Sequence, residues 1–400
     1  MKIHIFYILT FFIPLLSFSQ NFYSKWDNRF KITSDDGNFK LKFGGRIMYD
    51  VAAWSATTHS DSLGNTLTEN FNGTEFRRIR FFNSGQVYKN VKYKLQLDFA
   101  GGGVSIKDVY IEFVKLPVLE NIKVGHFKEP LRLEALTSSK YITLMERGLP
   151  IALSPERNVG FMLHRTFLDD KLSFQTGVFR NASSGNDKMA NGNRNITSRI
   201  TYLAMNEDDK LLHIGVGFSN RTNADETYAS STRAENHLGN KLIKVDLDDV
   251  SNTNILGTEM AFNIGSFSIQ AEYLNTMINR SVDSLNNHTL TGYYTQLSYF
   301  ITGEKREYKN SLAGFDRVKP NKNFGDGGVG AIELAARYSS LDFSDANGGK
   351  LSDITLGVNW HLNPCTRIML NYVLGSAKDN QDVSDYEKEN TFQCRIQIDF

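Results

Sequence analysis

The sequence predicts an all-β chain closed into a 16-stranded antiparallel transmembrane barrel of an outer membrane. Three observations predict it. The last ten residues, Thr391 to Phe400, alternate polar and apolar without a break and end on an aromatic; the chain opens with an export leader; and alternating segments recur sixteen times, the last being this ending. Period-two alternation means a strand with one apolar and one polar face. A final strand with no cap has a free edge that must pair, most simply with the first strand. The last strand of a soluble sandwich would alternate too, so the rest of the chain decides.

Met1 to Ser19 has a basic start (Lys2, His4), an apolar run from Ile5 to Leu16, and small Ser17 and Ser19 before Gln20. This is the pattern of a secretory signal peptide, and its apolar run falls short of the ~20 residues of a spanning helix. The expected organisation is a leader at 1–19, a periplasmic segment at 20–38 and the barrel at 39–400. Mean hydropathy is −0.35, and charged residues make up 22%. With only short apolar stretches after residue 20, a helical membrane protein is excluded. The 28 Phe and 17 Tyr, with Gly at 31 against Pro at 7, suit many strands, tight turns and aromatic girdles. Loss of the leader removes Lys2 and no acid, taking the formal charge from +1 to 0, so global charge indicates no partner. Cys365 and Cys394 fall in opposite phases of their segments, and no disulfide is expected between them.

In chain order the alternating segments are 39–54, 75–87, 91–99, 106–114, 121–127, 158–167, 171–179, 195–203, 211–219, 255–264, 266–274, 289–301, 329–340, 351–362, 365–374 and 391–400. Most approach the ~9 to 11 residues a tilted strand needs to cross a bilayer, and an even number fits a bacterial single-chain barrel. Connections alternate between short (89–90, 115–120, 168–170, 204–210, 265, 363–364) and long (55–74, 128–157, 180–194, 220–254, 275–288, 341–350, 375–390). Periplasmic turns and outer loops give that rhythm. Two connections break it: 100–105 is short on the outer side and 302–328 is long on the turn side, and either leaves room for a miscounted strand.

Where alternation is cleanest, Lys92, Lys94, Gln96 and Asp98 oppose Val91, Tyr93, Leu95, Leu97 and Phe99. Sixteen strands leave an aqueous channel, so the polar phase is expected to line water and the apolar phase lipid. That rule turns twelve cations inward: Lys40, Lys42, Arg46, Arg78, Arg80, Lys92, Lys94, Lys123, Arg199, Arg337, Arg367 and Arg395. Nine acids join them. The first three strands hold seven of the cations but only Asp50 and Asp98 of the acids, which makes one stretch of wall locally positive. Such a patch focuses anions, and Arg grips an oxyanion through two parallel hydrogen bonds. The plainer reading is that lumenal charges pair across neighbouring strands and stabilise the wall. Arg78 and Arg80 are the leading candidate pair.

The connection from Lys128 to Arg157 differs from its fellows. It has three of the seven prolines and is rich in Leu, Ile and Met, so it is expected to be buried, and inside a barrel the place for it is the lumen. Folding over the rim, or packing at a subunit contact, is the alternative. Ser138 or Ser139 is placed to cap a short helix ending before Gly148. The loop also contributes Arg132 and Arg147.

Several stretches together resemble the phosphate-selective porin O and P family. They are Val124-Gly-His-Phe-Lys-Glu-Pro-Leu-Arg-Leu-Glu-Ala-Leu-Thr-Ser-Ser139, Met145-Glu-Arg-Gly-Leu-Pro150, Ser154-Pro-Glu-Arg-Asn-Val-Gly160, the opening strands around Gly45-Arg46 and Phe76-Arg-Arg-Ile-Arg-Phe-Phe82, and Gly330-Ala-Ile-Glu-Leu-Ala-Ala-Arg-Tyr-Ser339. The resemblance runs from about residue 30 to the end. It implies a trimeric outer-membrane porin whose third long loop folds inward and whose basic residues pass phosphate, polyphosphate or other small anions. It carries over to Arg46, Arg78, Arg80, Arg132, Arg147 and Arg337. Ile332 stands where the family usually has an aromatic, and the acids of the lumen make a general, weakly selective pore the alternative.

Other function classes find little support. The eight histidines form no catalytic or metal motif, and neither HExxH nor GxSxG occurs. Gly325-Asp-Gly-Gly-Val-Gly330 fits GxGxxG, but no strand precedes it and a strand follows, so it lacks the context of a nucleotide site. Asp246, Asp248 and Asp249 read as a solvated acidic cluster before a calcium site. No enzyme activity, cofactor, metal or nucleic-acid partner is expected. The expected partners are small anions, outer-membrane lipids and further copies of the chain. A surface receptor or adhesin working through 220–254 is the remaining alternative.

Overall fold

The structure, a computed structural model, describes residues 21–182, 194–310 and 313–400; the leader lies outside the described residues. Sixteen strands build the wall: β1 (Lys40–Thr58), β2 (Thr68–Val87), β3 (Val91–Asp98), β4 (Ser105–Leu116), β5 (Glu120–Lys128), β6 (Arg157–Phe167), β7 (Leu172–Arg180) and β8 (Asn195–Asn206). The second half is β9 (Lys210–Thr222), β10 (Val250–Ile264), β11 (Phe267–Arg280), β12 (His288–Phe300), β13 (Ala331–Asp342), β14 (Lys350–Asn363), β15 (Thr366–Lys378) and β16 (Tyr386–Asp399). Each pairs antiparallel with the next. β16 pairs with β1 from Tyr386↔Thr58 to Asp399↔Arg46, which closes the barrel.

The side chains sort as period two requires. In β16, Phe392, Ile396 and Ile398 are 52%, 54% and 44% exposed, whereas Gln393, Arg395, Gln397 and Asp399 are at most 3% exposed. The apolar phase therefore forms the outer surface and the polar phase faces inward. Tight hairpins join the strands at one end. Between β2 and β3, Tyr88 and Lys89 take φ of 49° and 65°, the left-handed pair whose twist matches the flanking strands.

All sixteen expected segments are strands, but several run further at their outer ends. β2 begins at Thr68 rather than 75, and its added residues, among them Glu69, Asn70 and Asn72, are polar on both faces. β11 continues to Arg280 rather than 274, β10 starts at Val250 and β12 at His288. There the inward phase is apolar: Leu274, Ile278, Leu290, Leu341, Leu351 and Val373 are fully buried. They pack with Leu131, Leu149 and Leu153 of loop 129–156 and with Leu242, Ile243 and Val245 of loop 223–249. With both faces apolar, alternation fades and the strand ends disappear from the pattern. The rule that the inward phase is polar throughout is thereby corrected: on this side the outer half of the barrel holds a packed core, each full Leu or Ile contributing about 1.5–3 kcal/mol.

Among the described residues, the two irregular connections hide no wall strand. Residues 99–104 hold a single turn at Ala100–Gly102, and 301–330 hold a two-residue ladder of Tyr308–Lys309 with Gly314–Phe315. The glycine-rich motif lies in this second connection, where Gly325, Gly327 and Gly330 supply left-handed backbone (φ 86°, 75° and 76°) on the way into β13. Of the expected segment 20–38, residues 21–38 are described and form a hairpin of Phe22–Trp26 and Phe30–Ser34 that pairs with the start of β1 (Phe30↔Phe43), just beyond the last residues of β16.

Loop 129–156 contains one turn of helix, α1 (Leu133–Leu136), and a 3-10 turn at Leu149–Leu153. The expected helix starting at Ser138 or Ser139 is not formed. The Ser139 hydroxyl is taken by Arg46 and so is not spent on an N-cap. Loop 223–249 is a hairpin of Tyr228–Thr232 with Ile243–Leu247.

Bare backbone in the wall makes room for these loops. A Cβ on Gly217 of β9 would lie 2.1 Å from the Leu131 carbonyl oxygen, and one on Gly357 of β14 would lie 2.4 Å from Leu144 Cδ2. Gly217→Val is therefore expected to push loop 129–156 off its seat and to destabilise the barrel by about 1–3 kcal/mol, as overpacking does. Unfolding midpoints in urea would register this, and a midpoint equal to wild type would show that the loop is not seated there.

Candidate functional site

The site begins with an irregularity in β2. Its pairing with β1 slips between Met48↔Arg78 and Tyr49↔Phe76, so Arg77 is an extra residue in a β-bulge. A bulge places two consecutive side chains on one face: Arg77 reaches Glu146 of loop 129–156, and Arg78 is buried against Met48. Strict alternation missed Arg77. The signal was present in the parity, since Phe76 and Phe81 are five residues apart yet both exposed (52% and 45%), which no unbroken strand allows.

Three of the expected cations hydrogen-bond only to neutral acceptors among the described residues. Arg46 Nη1 donates to Ser139 Oγ at 2.7 Å and to Ser138 Oγ at 3.4 Å. Arg78 Nη1 lies 3.6 Å from Met48 Sδ. Arg147 donates to the carbonyls of Glu134 and Thr137, both at 2.9 Å. The buried Nε atoms of Arg46 and Arg78 have no hydrogen-bond partner among the described residues.

Five others are neutralised. Arg80 binds Asp98 at 2.6 Å, and Lys94 binds Asp108 at 2.5 Å. Asp108 also holds Arg157 at 2.7 Å. Arg132 is bonded to Glu272 and, at 3.0 Å, to Glu134. Arg199 binds Glu259 at 2.6 Å beside His213, and Arg337 binds Glu235 and Glu134. Lys92, the ninth, is exposed next to a turn. The candidate pair Arg78 and Arg80 thus divides, one guanidinium among neutral groups and the other on a carboxylate.

Loop 129–156 touches inward-phase residues of four successive strands through its own backbone. The carbonyls of Glu146, Thr143, Ile142 and Met145 accept from Arg337, Asn359, Arg367 and Arg395, at 2.7, 2.7, 2.8 and 2.5 Å. Arg395 also grips Asp50 of β1 at 2.7 and 2.6 Å, and Lys140 reaches Asp399 at 2.7 Å. Loop 223–249, within the connection 220–254 expected on the outer side, sends Glu235 inward onto Arg337, Ser339 and Thr355. Neither Glu235 nor Glu146 stood out in the sequence, because a loop acid has no periodic partner to mark it.

A closed sixteen-stranded wall with an apolar outer face and a polar inner phase defines an outer-membrane β-barrel of the porin class. The profile of the family described as phosphate-selective porin O and P matches residues 41–400, and the chain belongs to that family. Porin O of Pseudomonas aeruginosa is 28% identical over 92% of this chain and 90% of its own length. An uncharacterized protein of Caulobacter vibrioides is also 28% identical, over 94% of this chain and 76% of its own. Among solved structures, the anion-selective porin from Comamonas acidovorans superposes with a TM-score of 0.56 at 14% identity, covering 90% of this chain and 100% of that one. The outer membrane channel DcaP of Acinetobacter baumannii gives 0.57 at 12% identity, with 92% and 99% covered.

Proposed function

We propose that the chain is a diffusion channel for small anions, phosphate or polyphosphate among them, with its constriction built from Arg46, Arg78, Arg147, Ser138 and Ser139. The observation that carries this reading is the contrast between Arg46 and Arg78, buried among neutral acceptors, and the inward cations held by carboxylates. A guanidinium bonded only to hydroxyls or a thioether keeps its charge for a passing oxyanion. In this reading loop 129–156 lies inside the barrel and narrows it, as its hydrogen bonds to inward-phase residues of β13 to β16 support. The carboxylates on Arg80, Lys94, Arg132, Arg199 and Arg337 favour moderate rather than strict selectivity, since a neutralised cation attracts little at a distance. The phosphate-selective character for which the family is named and the anion selectivity of the Comamonas porin favour anions. The chain assembles as a trimer in this reading; a trimer form is described for OmpT of Vibrio cholerae, which shares the fold with a TM-score of 0.50. In this reading the hairpin at 22–34, which sits on the turn side, lies in the periplasm.

Purified protein in a planar bilayer under a salt gradient should give a reversal potential of the sign set by anion permeation, and added phosphate should block chloride current. A cation-selective or non-conducting barrel would remove this reading.

A further inference from the structure

Arg77 and Glu146 form a bidentate pair, Nε to Oε1 at 2.9 Å and Nη2 to Oε2 at 2.8 Å. This is the side-on fork in which a guanidinium also takes a phosphate. Arg395 adds a third bond, Nη2 to Glu146 Oε1 at 2.9 Å. One loop carboxylate thus fills a site built by two arginines, immediately beside Arg78. We propose that Glu146 is a tethered competitor of the permeating anion: an incoming oxyanion takes Arg77 only by displacing this carboxylate, so Glu146 sets how tightly the channel holds phosphate and how readily it lets go.

Three observations separate this from a purely structural ion pair. The pair is partly exposed, with side chains 18% and 16% exposed, whereas Arg132 of the loop and Glu272 of β11 are 1% and 0% exposed and closed to an incoming anion. Arg395 keeps Asp50 as a second carboxylate, while Glu146 is the carboxylate that Arg77 binds; removing the Glu146 charge therefore releases Arg77 in particular. The loop, finally, is fastened by its backbone: the carbonyls of Ile142, Thr143, Met145 and Glu146 itself are held by wall side chains. The loop should stay in place when the carboxylate is gone. A site that binds an anion firmly empties slowly, and conduction needs binding weak enough to leave; a built-in rival supplies that weakness without removing the arginines.

The inference rests on the anion-channel reading, and one set of recordings tests the two apart. Wild type and Glu146→Gln are compared in bilayers, with reversal potentials in a chloride gradient and with inorganic phosphate titrated against chloride current. Glu146→Gln should be blocked at about tenfold lower phosphate, the order of one charge-assisted hydrogen bond, and should be more anion-selective than wild type. Unchanged or weaker block in a channel that still prefers anions would overturn the competitor role and leave the anion reading standing. Absence of anion preference in wild type would overturn the anion reading itself. If Glu146→Gln fails to give the folded, heat-modifiable form on gels, Glu146→Asp carries the test. Its shorter carboxylate loosens the fork but keeps the charge, so block should tighten by a few-fold, and wild-type block there would equally overturn the proposal.

Discussion

Arg337→Met is expected to destabilise the barrel by about 3–5 kcal/mol, as breaking a buried ion pair does. The guanidinium is 2% exposed and joins three parts of the chain. It binds Glu235 of loop 223–249 and Glu134 of loop 129–156, and donates to the Glu146 carbonyl at 2.7 Å. Methionine fills much of the space but leaves buried Glu235 without a counter-charge and Glu134 with Arg132 alone, which is the costly way to break such a network. Glu235 would retain Ser339 and Thr355, neither able to neutralise it. Unfolding in urea, followed by the gel shift of the folded barrel, would measure the loss. Because the same arginine fastens both loops, single-channel currents should become larger and noisier. Adding Glu235→Gln should recover part of the loss, since the neutral amide no longer needs the guanidinium; purely additive effects would show that the two side chains do not act as a pair.

Arg46→Ala and Arg78→Ala are each expected to weaken phosphate block about tenfold to a hundredfold, the range of a hydrogen bond to a charged group. Arg80→Ala should change it far less. The three arginines lie close together on β1 and β2 and look alike in the sequence. They differ in partners: Arg80 spends its charge on Asp98 at 2.6 Å, while Arg46 meets serine hydroxyls and Arg78 a thioether. Phosphate titrations of chloride current on the three variants would rank them. Equal losses at all three positions would mean that partner identity does not decide which cation an anion feels.

The wall was legible in the sequence because one physical rule, lipid outside and something polar inside, is written at every second residue of strands such as β3 and β16. It failed where that rule stops applying. The inward faces of Leu274, Ile278 and Leu290 touch other side chains rather than water, so the outer ends of β10 to β12 carried no contrast to read. Arg77 was lost for a different reason: a bulge shifts parity by one, and a strict period assigns it to the wrong side. The site was legible as a list of cations and not as a site. Spacing placed Arg80, Arg199 and Arg337 on the inner face, but their acid partners lie up to 203 positions away along the chain, and only the closed fold brings them together. The loop helix was misplaced because a serine before an apolar run reads as a cap, while here the hydroxyl serves an arginine on the far wall.

The bond from Arg395 to Asp50 joins residues 345 positions apart, across the seam where the last strand meets the first. A barrel is a sheet whose two ends must find each other, and until they do, each end is an open edge of unpaired backbone. At that seam β16 contributes Arg395 and β1 Asp50, both buried, and the two side chains meet through two parallel hydrogen bonds. The junction is thus riveted from within as well as zipped along its backbone. During assembly the rivet can form only after the ends have met, so it makes closure hard to reverse, and a chain lacking it would be expected to linger as an unsealed sheet open to proteases.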